Sequence, residues 1–267
     1  RFMKDYMVKD IRNIAVLGHG SEGKTTLVES MLYAAGVTDR QGRVEDGNTV
    51  SDYDPEEIKR HISISASVAP IEIHGKKLNL VPGYFDFAGE MSGPLHAVEG
   101  AVIVISAATG ISTGFEKAWN ATAKHGLARI IAVSQVDREH INYRKVLDDL
   151  RSTYGNCIIP TVLPIGEGTS FVGVVDVLTG KAFTGAGKDR CEIPIPEEME
   201  ALVEEARGLQ RGGGEHQRGT DGKVLRRGQA ERGRHAARPF RGHLRGQHRA
   251  GRPGFQPERH RRAPADV

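Results

Sequence analysis

Cysteine is nearly absent from this chain of 267 residues, which contains only Cys157 and Cys191. Two isolated cysteines form neither a disulfide framework nor the paired spacing of a zinc site, so these two classes of protein are excluded. The sequence also lacks an uninterrupted apolar run of about 18 residues, and its first residues contain no apolar leader segment. We therefore expect no membrane span and a reducing, cytoplasmic location.

Apolar periodicity is missing from residues 208–267, which are rich in Arg, Gly and His and strongly basic, whereas residues 1–207 carry a net negative charge. Such a composition buries too little apolar surface to offset the entropy of ordering, so we predict a disordered tail. Its Arg-Gly pairs favour nonspecific RNA binding through phosphate contacts. Specific RNA binding is the alternative, although only Phe240 and Phe255 offer stacking surfaces there.

Strand-like apolar runs alternate with amphipathic stretches in residues 1–156, as expected for an α/β fold with a parallel sheet covered by helices. Residues 74–76 are typical of a hairpin turn. The predicted strands are Asn13 to Leu17, Ile71 to Ile73, Leu78 to Val81, Ala101 to Ser106 and Arg129 to Val133, and the predicted helices are Lys24 to Ala35, Phe115 to His125 and Tyr143 to Tyr154.

Residues 157–207 change to short strands separated by turns, at 158–165, 171–178 and 181–183, which predicts a small β-rich insertion. Two prolines then introduce a predicted helix at 197–207 with apolar residues on one face. We therefore divide the chain into a domain at 1–156, an insertion subdomain with its helix at 157–207, and the tail at 208–267.

The strongest motif is GHGSEGKT at residues 18–25, which matches GxxxxGK[ST] and lies between a predicted strand and a predicted helix. Its glycines let backbone N–H groups close around a phosphate, its lysine neutralises β- and γ-phosphate oxygens, and its last hydroxyl is placed to ligate Mg²⁺. An ordinary glycine-rich turn is the alternative interpretation. The predicted nucleotide contacts are Gly18, His19, Gly20, Ser21, Glu22, Gly23, Lys24, Thr25 and Thr26.

The sequence resembles the GTP-binding domain of translational GTPases, in particular elongation factor G and its paralogues, over residues 10 to about 205. The likeness rests on GHGSEGKTTL at 18–27, DYDPEEIKRHISIS at 52–65, PGYFDF at 82–87, QVDRE at 135–139 and FVGVVDVLTGKAF at 171–183. It implies a P-loop NTPase sheet with flanking helices, GTP or GDP with Mg²⁺ as ligands, and the ribosome with its RNA as partner. In intact relatives, GTP hydrolysis is coupled to ribosomal translocation.

Residues 52–65 resemble switch I, in which the family uses a threonine hydroxyl to reach Mg²⁺ and the γ-phosphate. Ser63 occupies that position and can make the same bonds, so Thr25 and Ser63 are the predicted metal ligands. The alternative is that Ser63 only precedes a strand at 64–68. A solvated mobile loop is expected for the charged residues of this stretch, which are Asp54, Glu56, Glu57, Lys59 and Arg60.

The third motif of the family, Asp-Thr-Pro-Gly, is incomplete, because residues 80–83 read LVPG. The aspartate that holds Mg²⁺ through water in the family is missing. We do not expect Asp86 to replace it, because Asp86 lies beyond the glycine and an offset of one residue already turns a strand side chain to the other face. By resemblance, the Gly83 N–H senses the γ-phosphate, and Tyr84 replaces a histidine that orients the attacking water. Gly83 and Tyr84 are therefore the candidate catalytic residues, and we expect impaired hydrolysis.

The fourth motif, Asn-Lys-x-Asp, selects guanine in the family and reads SQVD at residues 134–137 here. By resemblance, the Asp137 carboxylate accepts two N–H groups of guanine, whereas Ser134 and Gln135 replace the supporting Asn and Lys. Losing one supporting hydrogen bond costs about 0.5–1.5 kcal/mol, so we expect weaker affinity with guanine preference retained. The alternative for Asp137 is a carboxylate that only begins a helix.

The fifth motif, a Ser-Ala pair, does not occur after residue 137, and the resemblance stops near Arg207. This abrupt change of composition suggests a shifted reading frame or a rearranged gene. The sequence leaves three functions open. The first two are a GTP-binding domain of an elongation factor G-like translation factor and a catalytically defective nucleotide-binding fragment that competes for the ribosome or RNA. An ATP-using P-loop enzyme is a third alternative.

Overall fold

The apolar run near the start of the chain forms the centre of a five-stranded sheet in the computed structural model, which describes residues 5–83, 88–185 and 190–210. Strands β3, β1, β4 and β5 are parallel, and β2 is antiparallel to β3. The order is β2-β3-β1-β4-β5, with β1 at Ile11–Leu17, β2 at Ala69–Ile73, β3 at Lys76–Pro82, β4 at Gly100–Ser106 and β5 at Ala128–Ser134. The predicted α/β fold is confirmed.

Strand β1 is buried on both faces, as expected for a parallel strand in a helix-covered sheet. Ala15 and Leu17 belong to one apolar cluster and Val16 belongs to another, and all three have 0% exposure. Because successive side chains of a strand alternate between faces, one short apolar run supplies both cores. The loop that follows β1 therefore starts from a firmly packed strand.

Within the described residues, five α-helices accompany this sheet: α1 (Lys24–Ala34), α2 (Pro55–Arg60), α3 (Ala88–Ala97), α4 (Thr113–Lys124) and α5 (Tyr143–Tyr154). The predictions of α1, α4 and α5 are confirmed to within two residues at each end. The sequence predicts neither α2 nor α3. Helix α2 has six residues with one apolar side chain, Ile58, and α3 contains Pro94, which has a low helix propensity.

The predicted hairpin between β2 and β3 is confirmed, with His74 and Gly75 as its two-residue turn. Their φ angles are +47° and +74°, as a type I′ turn requires at both central positions. Pairing runs from Ile73 opposite Lys76 to Ala69 opposite Leu80. Strand β3 therefore begins at Lys76, two residues before Leu78, the start that the apolar pattern predicts.

A second, antiparallel sheet follows α5, with β6 at Val162–Ile165, β7 at Gly173–Asp176, β8 at Lys181–Thr184 and β9 at Cys191–Ile193. Helix α6, at residues 197–210, packs Met199, Val203 and Ala206 into the apolar cluster of this sheet. The predicted β-rich element is present, although the three-residue strand β9 is not foreseen from the sequence. The domain boundaries at 156 and 207 stay predictions.

Within the described ranges, no helix is long and apolar enough to cross a membrane. The described ranges all belong to one unit of the chain. The prediction of a disordered tail is wrong for residues 208–210, which continue α6, and from residue 211 onward the predicted tail lies outside the described residues.

Candidate functional site

The loop at residues 18–25 leaves the carboxyl end of β1 and leads directly into α1. Three of its residues have positive φ: Gly18 at +150°, Ser21 at +59° and Gly23 at +88°. A Cβ atom at Gly18 would lie 2.6 Å from the Val104 carbonyl oxygen, so glycine is required beside β4. Gly23 is the N-cap of α1, which leaves the first helical N–H groups at the loop, an arrangement that binds anions.

Lys24, the first residue of α1, folds back over this loop. Its Nζ donates to the His19 backbone oxygen at 2.5 Å, and the residue is only 8% exposed. A buried ammonium group needs acceptors, and the loop carbonyl supplies one of them. The structure thus places the predicted phosphate-binding cation among the N–H groups of the same loop.

Glu22 makes contacts that the loop motif does not indicate. The residue is 2% exposed, and its carboxylate accepts from the His19 N–H and from the Ser112 hydroxyl, each at 2.7 Å. Ser112 is also the N-cap of α4. The carboxylate therefore connects the loop to the start of α4. The sequence signal that could have indicated this contact is an acidic residue within a motif that is predicted to bind phosphate.

Three oxygen-bearing side chains meet at the start of α1. The Thr25 hydroxyl lies 3.1 Å from the Ser63 hydroxyl, which donates to the Asp52 carboxylate at 2.5 Å. The structure therefore brings together the two predicted metal ligands and adds a carboxylate, 5% exposed, that sequence reasoning misses. Asp52 has no local sequence signal, because its proximity to Thr25 depends on the folding of the long segment between α1 and β2.

That segment is organised around α2, which Asp54 caps by accepting from the Glu56 N–H at 2.8 Å. Glu57 is 1% exposed, and one of its oxygens accepts from the Asp54 N–H at 3.1 Å. Its other oxygen accepts from the Ile64 and Ser65 N–H groups at 2.7 and 2.8 Å. The prediction of a solvated mobile loop is therefore wrong for Glu57, which is buried and binds backbone N–H groups within the fold. Asp54 is exposed to solvent, as predicted, but it is held in place as the N-cap of α2.

The other charges of α2 do face solvent, including an exposed ion pair between Glu56 and Arg60 at 2.9 Å. Pairs of this kind contribute little to stability. The strand at 64–68, which is the alternative interpretation of Ser63, is absent from this described stretch, since β2 begins only at Ala69.

Gly83 follows β3 directly, and its N–H donates to the Val16 backbone oxygen at 3.1 Å. This hydrogen bond continues the pairing of β3 with β1. Met91 packs against Gly83 so closely that a side chain there would collide with it. Tyr84 and Asp86 lie outside the described residues, so the catalytic assignments of Gly83 and Tyr84 stay predictions.

Ser134 and Gln135 both contact the loop at residues 18–25, which is the predicted phosphate loop. From the sequence we expect a supporting hydrogen bond of the family's Asn-Lys pair to be lost. The Ser134 hydroxyl donates to the Glu22 backbone oxygen at 2.7 Å, and the Gln135 amide donates to the Ser21 backbone oxygen at 3.0 Å. Ser106, the last residue of β4, donates to the Gln135 side-chain oxygen at 2.6 Å. These replacements therefore fasten the turn after β5 to the phosphate loop.

Asp137 lies in the exposed turn that follows β5. Gly168 of the second sheet region donates its N–H to the Val136 backbone oxygen in this turn at 2.9 Å. The helix-capping alternative for Asp137 is wrong, because α5 begins at Tyr143 and has Asn142 as its N-cap. Since β1 and β5 are parallel, Asp137 and the phosphate loop follow the same edge of the sheet.

The comparisons with known proteins cover most of the described region. Residues 9–223 match the family described as Elongation factor Tu GTP binding domain. The chain is 35% identical over 201 residues to an elongation factor G-like protein of Mycobacterium tuberculosis, and 35% identical over 197 residues to the mitochondrial ribosome-releasing factor 2 of Anopheles gambiae. These alignments include 74% and 72% of this chain but 27% of each relative. The chain thus spans just over a quarter of their length.

A crystal structure of a protein from Thermus thermophilus is also similar, with a TM-score of 0.69 and 40% sequence identity. The likeness includes 74% of this chain and 30% of that protein. The family match to residue 223 extends beyond residue 207, at which the sequence suggests that the resemblance stops.

Proposed function

The chain belongs to the elongation factor Tu GTP-binding domain family of translation GTPases, and we propose that it binds GTP or GDP with Mg²⁺ at the loop of residues 18–25. The observation that carries this proposal is the meeting of Thr25, Ser63 and Asp52 at the start of α1. The loop at residues 18–25 follows the carboxyl end of β1, and the turn with Asp137 follows the carboxyl end of β5. The cluster of Thr25, Ser63 and Asp52 lies at the start of the helix after β1. Sheets of α/β proteins bind their ligands at this edge.

Thr25, Ser63 and Asp52 suit a magnesium ion, which binds oxygen atoms and is usually held by one or two carboxylates together with substrate phosphates. The cluster offers two hydroxyls and one buried carboxylate. Among the described residues, no group of three or more His, Cys, Asp and Glu side chains is arranged to hold a metal ion, so the proposed site depends on hydroxyl and phosphate oxygens as well as on the Asp52 carboxylate. Bound Mg²⁺ neutralises charge on the β- and γ-phosphates. We therefore assign to Asp52 the carboxylate function that the incomplete third motif does not supply.

Phosphate binding is assigned to the backbone N–H groups of residues 20–26 and to Lys24. In the bound state, the Lys24 ammonium group exchanges the His19 carbonyl for phosphate oxygens. The positive end of the helix dipole and the Lys24 ammonium group lie close together at the start of α1. Both therefore attract the negative charge of a phosphate.

Base recognition is assigned to Asp137, whose carboxylate accepts N–H groups that guanine has and adenine lacks at the same positions. A site that depends on such hydrogen bonds rejects a ligand that cannot make them. Ser134 and Gln135 support this selection by joining the base-binding turn to the phosphate loop.

The ribosome and its RNA are the proposed partners, since the relatives bear the names elongation factor G-like protein and ribosome-releasing factor. In this proposal the chain contributes the nucleotide-dependent step of a longer factor, with GTP hydrolysis coupled to translocation. Gly83 and Tyr84 are the proposed catalytic residues, and the cytoplasmic location stays a prediction.

A second candidate function is nucleotide binding without useful turnover, as a fragment that competes for the ribosome or RNA. Two observations favour it: residues 80–83 lack the Asp-Thr pair, and the Gly83 N–H is engaged with Val16. Catalysis of phosphoryl transfer depends on groups placed to stabilise developing charge. We therefore expect nucleotide binding to be retained and hydrolysis to be slow.

Titration with a fluorescent GDP in Mg²⁺ tests the proposed function directly. Lys24→Ala removes a charge-assisted contact to phosphate, so we expect at least about tenfold weaker binding. Lys117→Ala is the matched control, because Lys117 is an exposed lysine on α4, and its affinity should equal that of the wild type. No saturable binding by the wild type, or equal binding by Lys24→Ala, would reject the proposal, and competition by ATP but not GTP would favour the ATP-using alternative.

A further inference from the structure

Glu29 lies one helical turn after Thr25 on α1 and has 0% exposure. Residues four apart in a helix share one face, so Thr25 and Glu29 are presented to the same neighbour. That neighbour is the segment at residues 50–65, which carries Asp52 and Ser63. An ionised carboxylate is costly to bury unless hydrogen bonds satisfy it, so its location requires a structural reason.

One oxygen of Glu29 holds the start of this segment. Oε1 accepts from the Val50 N–H at 2.7 Å and from the Ser51 N–H at 3.2 Å. Oε2 is buried without a hydrogen-bond partner among the described residues, and it lies where a Cβ atom on Gly42 would collide with it. The carboxylate thus remains buried although only one of its oxygens is satisfied.

Glu57 makes a matching arrangement at the other end of the segment, where one of its oxygens accepts from two consecutive N–H groups, at Ile64 and Ser65. The two anchored pairs are directly adjacent to the metal-ligand candidates, since Asp52 follows residue 51 and Ser63 precedes residue 64. Glu57 belongs to the segment itself. Glu29 belongs to α1, so its hydrogen bonds fix the segment relative to the phosphate loop.

We propose that Glu29 is a positioning residue for the magnesium site, an inference that rests on the nucleotide-binding function proposed above. By holding residues 50 and 51 against α1, it places the Asp52 carboxylate beside Thr25 and Ser63 before the ion binds. Ligands that are already ordered lose less conformational entropy on binding. Without this anchor the affinity for Mg²⁺ falls, while the loop at residues 18–25 keeps its own contacts to phosphate.

Two substitutions distinguish positioning from simple filling of space. Glu29→Met keeps a side chain of similar length but offers no strong acceptor to the two N–H groups, whereas Glu29→Gln keeps the accepting oxygen and removes the charge. Glu45→Met is the control, because Glu45 is exposed in the loop before the segment. Amide hydrogen exchange of residues 50–52 in the nucleotide-free protein measures the anchoring. The Mg²⁺ concentration that half-maximally slows GDP release measures the site, with GDP affinity in EDTA as reference.

In Glu29→Met we expect the amide hydrogens of residues 50–52 to exchange at least about tenfold faster, because the Val50 and Ser51 N–H groups lose their acceptor. We expect the same variant to require about tenfold more Mg²⁺. Its GDP affinity in EDTA should stay within about twofold of the wild type, because the phosphate loop is unchanged. Glu29→Gln should behave nearly as the wild type in both measurements, and Glu45→Met should be indistinguishable from it.

A wild-type Mg²⁺ requirement or wild-type exchange in Glu29→Met overturns the inference, and so does a loss of GDP affinity in EDTA as large as the loss in Mg²⁺. If Glu29→Met does not fold, Gly42→Ala replaces it, because the added methyl group displaces Oε2, and the same shift in Mg²⁺ requirement is expected. Failure of the wild type itself to bind GDP rejects the proposed function instead, so the two failures are distinguishable.

Discussion

Gln135 joins two parts of the candidate site through one side chain, accepting from Ser106 and donating to Ser21. Gln135→Ala removes both hydrogen bonds. Each bond typically contributes about 0.5–1.5 kcal/mol, and because both bonds hold the turn rather than the ligand, only part of their sum is lost from binding. We therefore expect the Kd for GDP to rise about three- to tenfold. Fluorescent GDP titration in Mg²⁺ measures this change. Arg138→Ala, at an exposed neighbouring position, should leave the Kd unchanged, and an unchanged Kd in Gln135→Ala would contradict the supporting function of this residue.

The residues of the site differ in how far the sequence alone predicts them. The loop at residues 18–25 is predictable because its glycines, lysine and threonine lie within eight positions and act through local backbone geometry. The contacts of Ser63 with Thr25, and of Glu22 with Ser112, join parts of the chain that are 38 and 90 residues apart, and no periodic pattern encodes them. Asp52 reaches this cluster through its hydrogen bond with Ser63. The sequence therefore predicts the phosphate-binding loop but not the carboxylates that organise its surroundings.

At the scale of elements, the turn between β7 and β8 depends on Asp176, whose carboxylate accepts from the Leu178 and Thr179 N–H groups at 2.9 and 3.3 Å. Burial alone raises the pKa of Asp176, but hydrogen bonds from Thr179 and Leu178 and the charge of Arg190 outweigh it, and the pKa is lowered. The folded chain therefore binds this proton less readily than the unfolded chain. Its ionised form stabilises the fold above about pH 4, and that contribution is lost as the pH falls through the folded pKa.

We therefore expect Asp176→Asn to unfold at a lower urea concentration than the wild type at pH 7, and we expect this difference to shrink below about pH 4. Urea unfolding curves of both proteins across this pH range provide the measurement. Asp149→Asn on α5 replaces an exposed carboxylate and serves as control. A difference between Asp176→Asn and the wild type that is independent of pH would contradict the ionic contribution.

The elements that the sequence predicts are those with a strong apolar period. Strands β1, β4 and β5 are apolar runs that are easy to locate. Helices α4 and α5 each have one apolar face, and a glycine follows the last helical residue by one position in α5 and by two in α4. Helix α2 is missed because it has only six residues and no apolar face, so an analysis of apolar periodicity does not find it. Its local start signal, the capping box of Asp54 and Glu57, is present in the sequence.

At the scale of the whole molecule, the groups proposed to bind the nucleotide are more complete than the groups proposed to hydrolyse it. The phosphate loop, the oxygen cluster at Thr25 and the turn at Asp137 are present, whereas the third motif lacks two residues. That deficit lies at the tip of β3, beside β1, where Val81 and Pro82 pair with Ala15 and Val16. Binding and turnover are therefore expected to separate in this chain.

Insertion of Asp-Thr between Val81 and Pro82 tests this separation. Because strand side chains alternate between faces, two added residues preserve the facing of the strand and place a carboxylate at its tip. We expect the wild-type chain to release phosphate from GTP near the uncatalysed rate, and the inserted variant to release it at least about tenfold faster. Insertion of Ala-Ala is the matched control and should give no gain, with all three chains measured with and without ribosomes. Wild-type turnover clearly above the uncatalysed rate would contradict the expectation, as would equal rates for the two insertions.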